Sequence, residues 1–110
     1  RLMITVETWR KQGGHICRFR ISGHADAEDS QLGYDIVCAS VSAISLTCAF
    51  GLQDVLHVKG RYDSRSGYLL VDIGDNADRY TEAVIQTMLA GLSKVQQQFP
   101  ERIKMKNLRR

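Results

Sequence analysis

The apolar residues of this chain change period twice, from two residues to about 3.6 and back, which restricts it to a sheet with helices packed on it. Leu2, Ile4 and Val6 alternate with Arg1, Met3, Thr5 and Glu7, and beyond Gly13-Gly14 Cys17, Phe19 and Ile21 alternate with Arg18 and Arg20. That pattern reads as a β-hairpin. Val37, Val41, Ile44 and Cys48 then recur at helical spacing with no Gly or Pro before Gly51. A helix is expected from about Ile36 to Phe50, with Asp35 as its N-cap. Val55, Leu56 and Val58, then Tyr68 to Ile73, flank Ser64-Arg65-Ser66-Gly67 and read as a second hairpin. From Asp78 onward Ile85, Met88, Leu92, Val95 and Phe99 form one stripe, with Glu82, Gln86, Lys94 and Gln97 opposite, and Pro100 ends this second helix. Ile103, Met105 and Leu108 suggest a last short strand beside an earlier edge.

The resulting order, ββαββαβ, favours an α+β two-layer sandwich, a largely antiparallel sheet with both helices on one face. Its 110 residues, 44% of them hydrophobic, make one domain over 1–110. A chain of this size buries roughly two thirds of its unfolded surface, too little to enclose a large cofactor. An active site would be a surface groove. Two helices barely cover five strands, so apolar surface left over would suit a homodimer contact. Strand order is not readable at this level.

Fifteen Lys and Arg against twelve Asp and Glu give a net charge of +3, short of the excess that marks a dedicated nucleic-acid binder. Aromatic residues are 7%, and no basic-aromatic platform stands out in the sequence, so direct nucleic-acid binding is not expected. The three cysteines, 17, 38 and 48, form no CxxC pair and no Cys/His spacing for a tetrahedral site, so neither a metal nor another cofactor is expected. The odd cysteine count, the absence of an apolar leader and the lack of an apolar run of eighteen residues point to a cytoplasmic protein without a membrane partner.

Cys38 is the first residue to weigh for chemistry. It falls third in the expected helix, where backbone N–H groups and the helix dipole favour an anion by about 0.3–1 kcal/mol. One residue step turns a helix by about 100°, which puts Cys38 at the edge of the Val37 stripe beside Ser42 and Ser45. Cys17, on the inward parity of a strand, and Cys48, within the helical stripe, read as small buried hydrophobes. A reactive Cys38 needs a positive partner, and His24 is the nearest in sequence. His24 directly follows Ser22-Gly23 at a strand end, a rigid launching point for a catalytic group. The stretch between them has no sustained period and reads as a long loop bearing Asp26, Glu28 and Asp29, with Gly33 as its hinge.

The run Ser22-Gly23-His24-Ala25, then Gly33, then Asp35-Ile36-Val37-Cys38-Ala39 and Val41-Ser42-Ala43, resembles the signature of the ribosomal-processing cysteine protease family. The element order is similar too, so the resemblance covers nearly the whole chain. It implies a dyad with His24 as base and Cys38 as nucleophile. It also implies a substrate: the N-terminal extension of a large-subunit ribosomal protein precursor, of the L-twenty-seven type. Backbone N–H groups near Cys38 and Ala39 would hold the oxyanion, and Asp35 would orient His24 where its capping duty allows. Two departures stand out: a somewhat longer loop between His24 and Cys38, and Ser40 where alanine is common. Neither touches the dyad. A Cys-x5-Arg phosphatase loop is excluded because Ile44 lies six positions after Cys38. The rival from another class is a non-enzymatic ribosome- or RNA-binding module using the basic C-terminus.

Overall fold

A computed structural model describes residues 3–24 and 36–109 of the chain. The first hairpin is β1 (Ile4–Arg10) and β2 (Ile16–Ser22), antiparallel, with Thr5 opposite Ser22 and Thr8 opposite Phe19. The register slips after Trp9, and Cys17 is left without an opposite residue on β1. Ile4, Val6 and Thr8 alternate with Phe19 and Ile21 as the buried positions, the two-residue period that half-buried strands require.

Helix α1 runs Ile36–Phe50, the span expected from the periodicity, and buries Val37, Val41, Cys48 and Ala49. Its hydroxyls cost little in apolar company because they bond back one turn: Ser40 donates to the Ile36 carbonyl, Ser45 to Val41 and Thr47 to Ala43. The helix then widens into a π turn over Gly51–Val55. The continuous stretch, Ile36–Val55, is twenty residues long and apolar enough to cross a membrane on length and composition. This corrects the reading that the chain holds no such run. One side of it packs into the core with α2 and the sheet, and 33% of its apolar window is buried.

The second hairpin differs from expectation in its first arm. Val55, Leu56 and Val58 are not a strand. Leu52, fully buried, anchors the wide turn, the Leu56 N–H donates to Gly51 O at 3.0 Å and the Val58 N–H to Leu52 O at 2.9 Å. His57, with φ of 54°, is the one non-glycine residue at positive φ among those described, and it reverses the chain. The strand that follows is β3 (Arg61–Arg65), polar and charged, paired with β4 (Tyr68–Asp72) across a two-residue turn. As an outer strand it needs only one neighbour, and its charges discourage pairing with another chain.

Helix α2 spans Arg79–Gln98 behind an Asp78 cap whose carboxylate accepts from the Tyr80 and Thr81 N–H groups, both at 2.9 Å. Thr81 Oγ1 accepts in return from the Asp78 N–H at 2.8 Å, which closes a capping box. Gly51 faces Val84 and Gly91 faces Ile44, so α1 and α2 run antiparallel. The last strand, β5 (Ile103–Arg109), lies parallel to β1, and the sheet order is β3-β4-β2-β1-β5. The fold is α+β in the expected order, with one parallel pair in an otherwise antiparallel sheet. Both helices join the inward residues of the sheet, among them Phe19, Val71 and Ile103, in a single core.

The helix-free face of the sheet is largely charged. By register it presents Glu7, Arg18, Arg20, Lys104 and Lys106. The Arg18 and Arg20 guanidinium groups lie 4.4 and 5.3 Å from the Trp9 ring centre, and Arg20 pairs with Glu7 at 2.7 Å. Exposed large apolar residues sit instead on helical segments: Ile36, Phe50, Val55 and Tyr80.

Candidate active site

His24 and Cys38 come from different elements and meet the same groove, a cleft of about 520 Å³ at the end of the sheet. Strand β2 delivers His24. The Gly23 N–H donates to Gly67 O at 2.9 Å, extending the β2–β4 pairing by one step. Gly23 has φ of +98°, and any Cβ there would overlap the Met3 carbonyl oxygen. Only glycine lets the chain turn this closely against the start of β1. His24 emerges exposed, beyond the last paired residue.

Helix α1 delivers Cys38 in its first turn, half-buried at the margin of the core. The N–H groups of a first helical turn have no carbonyl partner within the helix, so this end of α1 carries partial positive charge beside the thiol. Ala39 and Ser42, both exposed, line the same cleft, as does Ser45. The placement of Cys38, Ser42 and Ser45 on one flank therefore agrees with the helical spacing. Cys17 and Cys48 are buried away from it, and burial pushes the Cys48 thiol up to about 12. Asp35, Gly33 and the acids Asp26, Glu28 and Asp29, together with the loop expected to carry them, lie outside the described residues.

The second wall of the groove is the β3–β4 turn, which sequence reasoning did not connect with the site. Ser64, Arg65, Gly67 and Tyr68 line it, and the Arg65 guanidinium stacks 4.0 Å from the Tyr68 ring centre. Ile4, Ile21 and Leu69 form an apolar floor. Among the described residues the groove thus offers a thiol at a helix start, an imidazole, small hydroxyl side chains, and one cation at the rim. Among the described residues no group of three or more His, Cys, Asp or Glu side chains gathers to hold a metal.

A thiol at a helix start and an imidazole in one open cleft are the parts of a cysteine hydrolase. Residues 3–104 match the family model of cysteine protease Prp, and the chain belongs to that family. It is a cysteine endopeptidase by that membership. The ribosomal processing cysteine protease Prp of Staphylococcus aureus strain Mu50 is 29% identical over 106 residues, covering 94% of this chain and 97% of the relative. The same protein from strain NCTC 8325 matches equally. Among solved structures, the S. aureus essential ribosomal processing protease Prp with a covalently linked product peptide superposes with a TM-score of 0.83. That comparison has 23% identity and covers 96% of this chain and 99% of the other, which speaks to fold. SMU.848 from Streptococcus mutans gives a TM-score of 0.77 at 25% identity, over 98% of this chain and 96% of that one.

Proposed function

We propose that this chain is a sequence-specific processing endopeptidase that removes the N-terminal extension of a large-subunit ribosomal protein precursor, of the L-twenty-seven type, through a His24–Cys38 dyad. The observation that carries the dyad is the convergence of both side chains on one groove from a strand end and a helix start. Ribosomal processing is supported by the S. aureus relatives, which are named as ribosomal processing proteases, one of them solved with a substrate peptide, and the L-twenty-seven-type extension by the sequence resemblance alone.

In this reading His24 takes the Sγ proton of Cys38, and the thiolate adds to the scissile carbonyl carbon. The resulting oxyanion is held by backbone N–H groups at the start of α1, near Cys38 and Ala39. Collapse breaks the C–N bond, and the leaving amine takes the proton from His24. Water then gives a proton to His24 as its oxygen attacks the thioester, and the second collapse returns Cys38. Asp35, where its capping duty allows, would orient the imidazole, and Gly33 would serve as the hinge of the expected loop. The groove is short, so selectivity comes from one or two apolar or aromatic anchors near the cut, each contributing about 1.5–3 kcal/mol by burial. The enzyme acts in the cytoplasm as a homodimer, for which exposed Phe50 and Val55 provide apolar surface. It needs no cofactor, membrane or nucleic acid.

The test is mass spectrometry of a precursor carrying its extension after incubation with the protein. One cut within the extension is expected, abolished by Cys38→Ser and by His24→Ala. A casein-like mixture cut as readily as the precursor would replace this reading with a general peptidase. Salt-dependent RNA retention by Cys38→Ala, with no cleavage by the wild type, would favour a binding module.

A further inference from the structure

The β3–β4 turn does more than wall the groove. Gly67 is the second residue of that turn, with φ of +70°. A Cβ built on it would overlap Nε2 of His24 and lie 2.7 Å from Cε1 and 3.0 Å from Cδ2. The imidazole therefore rests directly on the Gly67 backbone, in the volume that any side chain would occupy. The same residue accepts the Gly23 N–H at 2.9 Å, so the segment that carries His24 is hydrogen-bonded to the surface on which its ring lies.

We propose that Gly67 is a positioning residue for His24: its missing side chain creates the seat that holds the imidazole toward the groove. The inference rests on the His24–Cys38 reading. The ring is the movable end of a side chain, so a methyl at position 67 displaces the imidazole rather than the backbone. The consequence falls on catalysis. Misplacing a catalytic group by about 1 Å costs on the order of a hundredfold in rate.

A control separates this from backbone strain. Gly13 has φ of +67° in the β1–β2 turn, at the opposite end of β2 from His24, and a Cβ there meets nothing within 4 Å. Gly13→Ala and Gly67→Ala thus impose the same left-handed strain, and only the second touches the imidazole. Gly67→Asn adds a Cβ with less strain, since Asn tolerates this region, and keeps the test alive if the alanine variant folds poorly. Expected are similar melting temperatures for the two alanine variants, with kcat on a precursor peptide down about a hundredfold in Gly67→Ala and Gly67→Asn, KM changed by less than threefold, and Gly13→Ala at wild-type rate. The pH profile of iodoacetamide capture by Cys38 should move toward that of His24→Ala in both position-67 variants, and the His24 ring NMR signals should shift. If His24→Ala abolishes cleavage while Gly67→Ala and Gly67→Asn match Gly13→Ala, the positioning role is refuted and the dyad stands. If His24→Ala cleaves normally, the dyad falls and this inference with it.

Discussion

Glu82 looks from its spacing like one more solvated residue on the outer side of α2, yet its carboxylate reaches the first hairpin. Oε1 accepts the Ile16 N–H at 2.8 Å, and Oε2 accepts from Gln86 Nε2 at 3.0 Å and from Arg10 at 3.4 Å. Ile16 is 0% exposed, so no water replaces that bond without repacking. Glu82→Ala removes a charge-assisted hydrogen bond worth about 1.5–3 kcal/mol and strands a buried donor. The Arg10 pair, 44% exposed on the arginine side, adds no more than about 1 kcal/mol. A total near 2–3 kcal/mol should lower Tm by roughly 10 °C in a domain of this size. Glu82→Gln keeps an acceptor for Ile16 and loses only the charge, so it should cost about half as much. Burial pushes the Glu82 carboxyl up, but hydrogen bonds from Gln86 and Ile16 and the Arg10 charge outweigh it and hold the group below its ordinary value. Its contribution is therefore complete above the unfolded-state value near ~4.3 and disappears as pH falls through the lower folded value. Urea melts of the wild type and both variants at neutral and acid pH measure this, and the gap between wild type and Glu82→Gln should close in acid. A Glu82→Ala protein within about 0.5 kcal/mol of wild type at neutral pH would refute the reasoning. Cleavage per folded molecule should be unchanged, because Glu82 does not line the groove.

Brief iodoacetamide exposure followed by mass mapping should label Cys38 well before Cys17 and Cys48, which are 0% and 5% exposed; equal labelling of all three would contradict the assignment of Cys38 as the nucleophile. Cys38→Ser should leave Tm within a few degrees of wild type, since the swap is nearly isosteric and sits at the core margin, and a large loss would make Cys38 a packing residue. Gly23→Ala should be worse for stability than Gly13→Ala, because its Cβ meets the Met3 carbonyl rather than open space; comparing their urea midpoints tests this, and equal midpoints would show that β1 yields easily. Phe19→Ala should cost about 3–5 kcal/mol, as large aromatic truncations in cores do, since Phe19 is fully buried at the centre of the sheet's inner face; denaturant melts that show less than half of that would mean the core collapses around the gap.

Much of this molecule was readable one residue at a time, because the signals involved are local. Helix α1 begins and ends where the stripe from Val37 to Cys48 says, and α2 lies between the Asp78 cap and Pro100. The alternation through Ile4, Val6, Phe19 and Ile21 marks two strands whatever their neighbours. His24 at a strand end and Cys38 in a first helical turn follow from those boundaries. Other features depended on which segments meet in space, and no period records that. The apolar run Val55-Leu56 mimicked a strand, but Leu52 and the left-handed His57 wind it into a turn, while polar Arg61–Arg65 takes the outer position where one neighbour suffices. Glu82 and Gly67 look like solvent-facing residues in the sequence, because their partners, Ile16 and His24, are distant along the chain. Only the β3-β4-β2-β1-β5 order, which seats β4 beside β2, brings the Gly67 turn under the imidazole. Long-range pairing is decided by the packing of the whole core, whereas helix and strand periods are imposed by the backbone geometry of each segment alone.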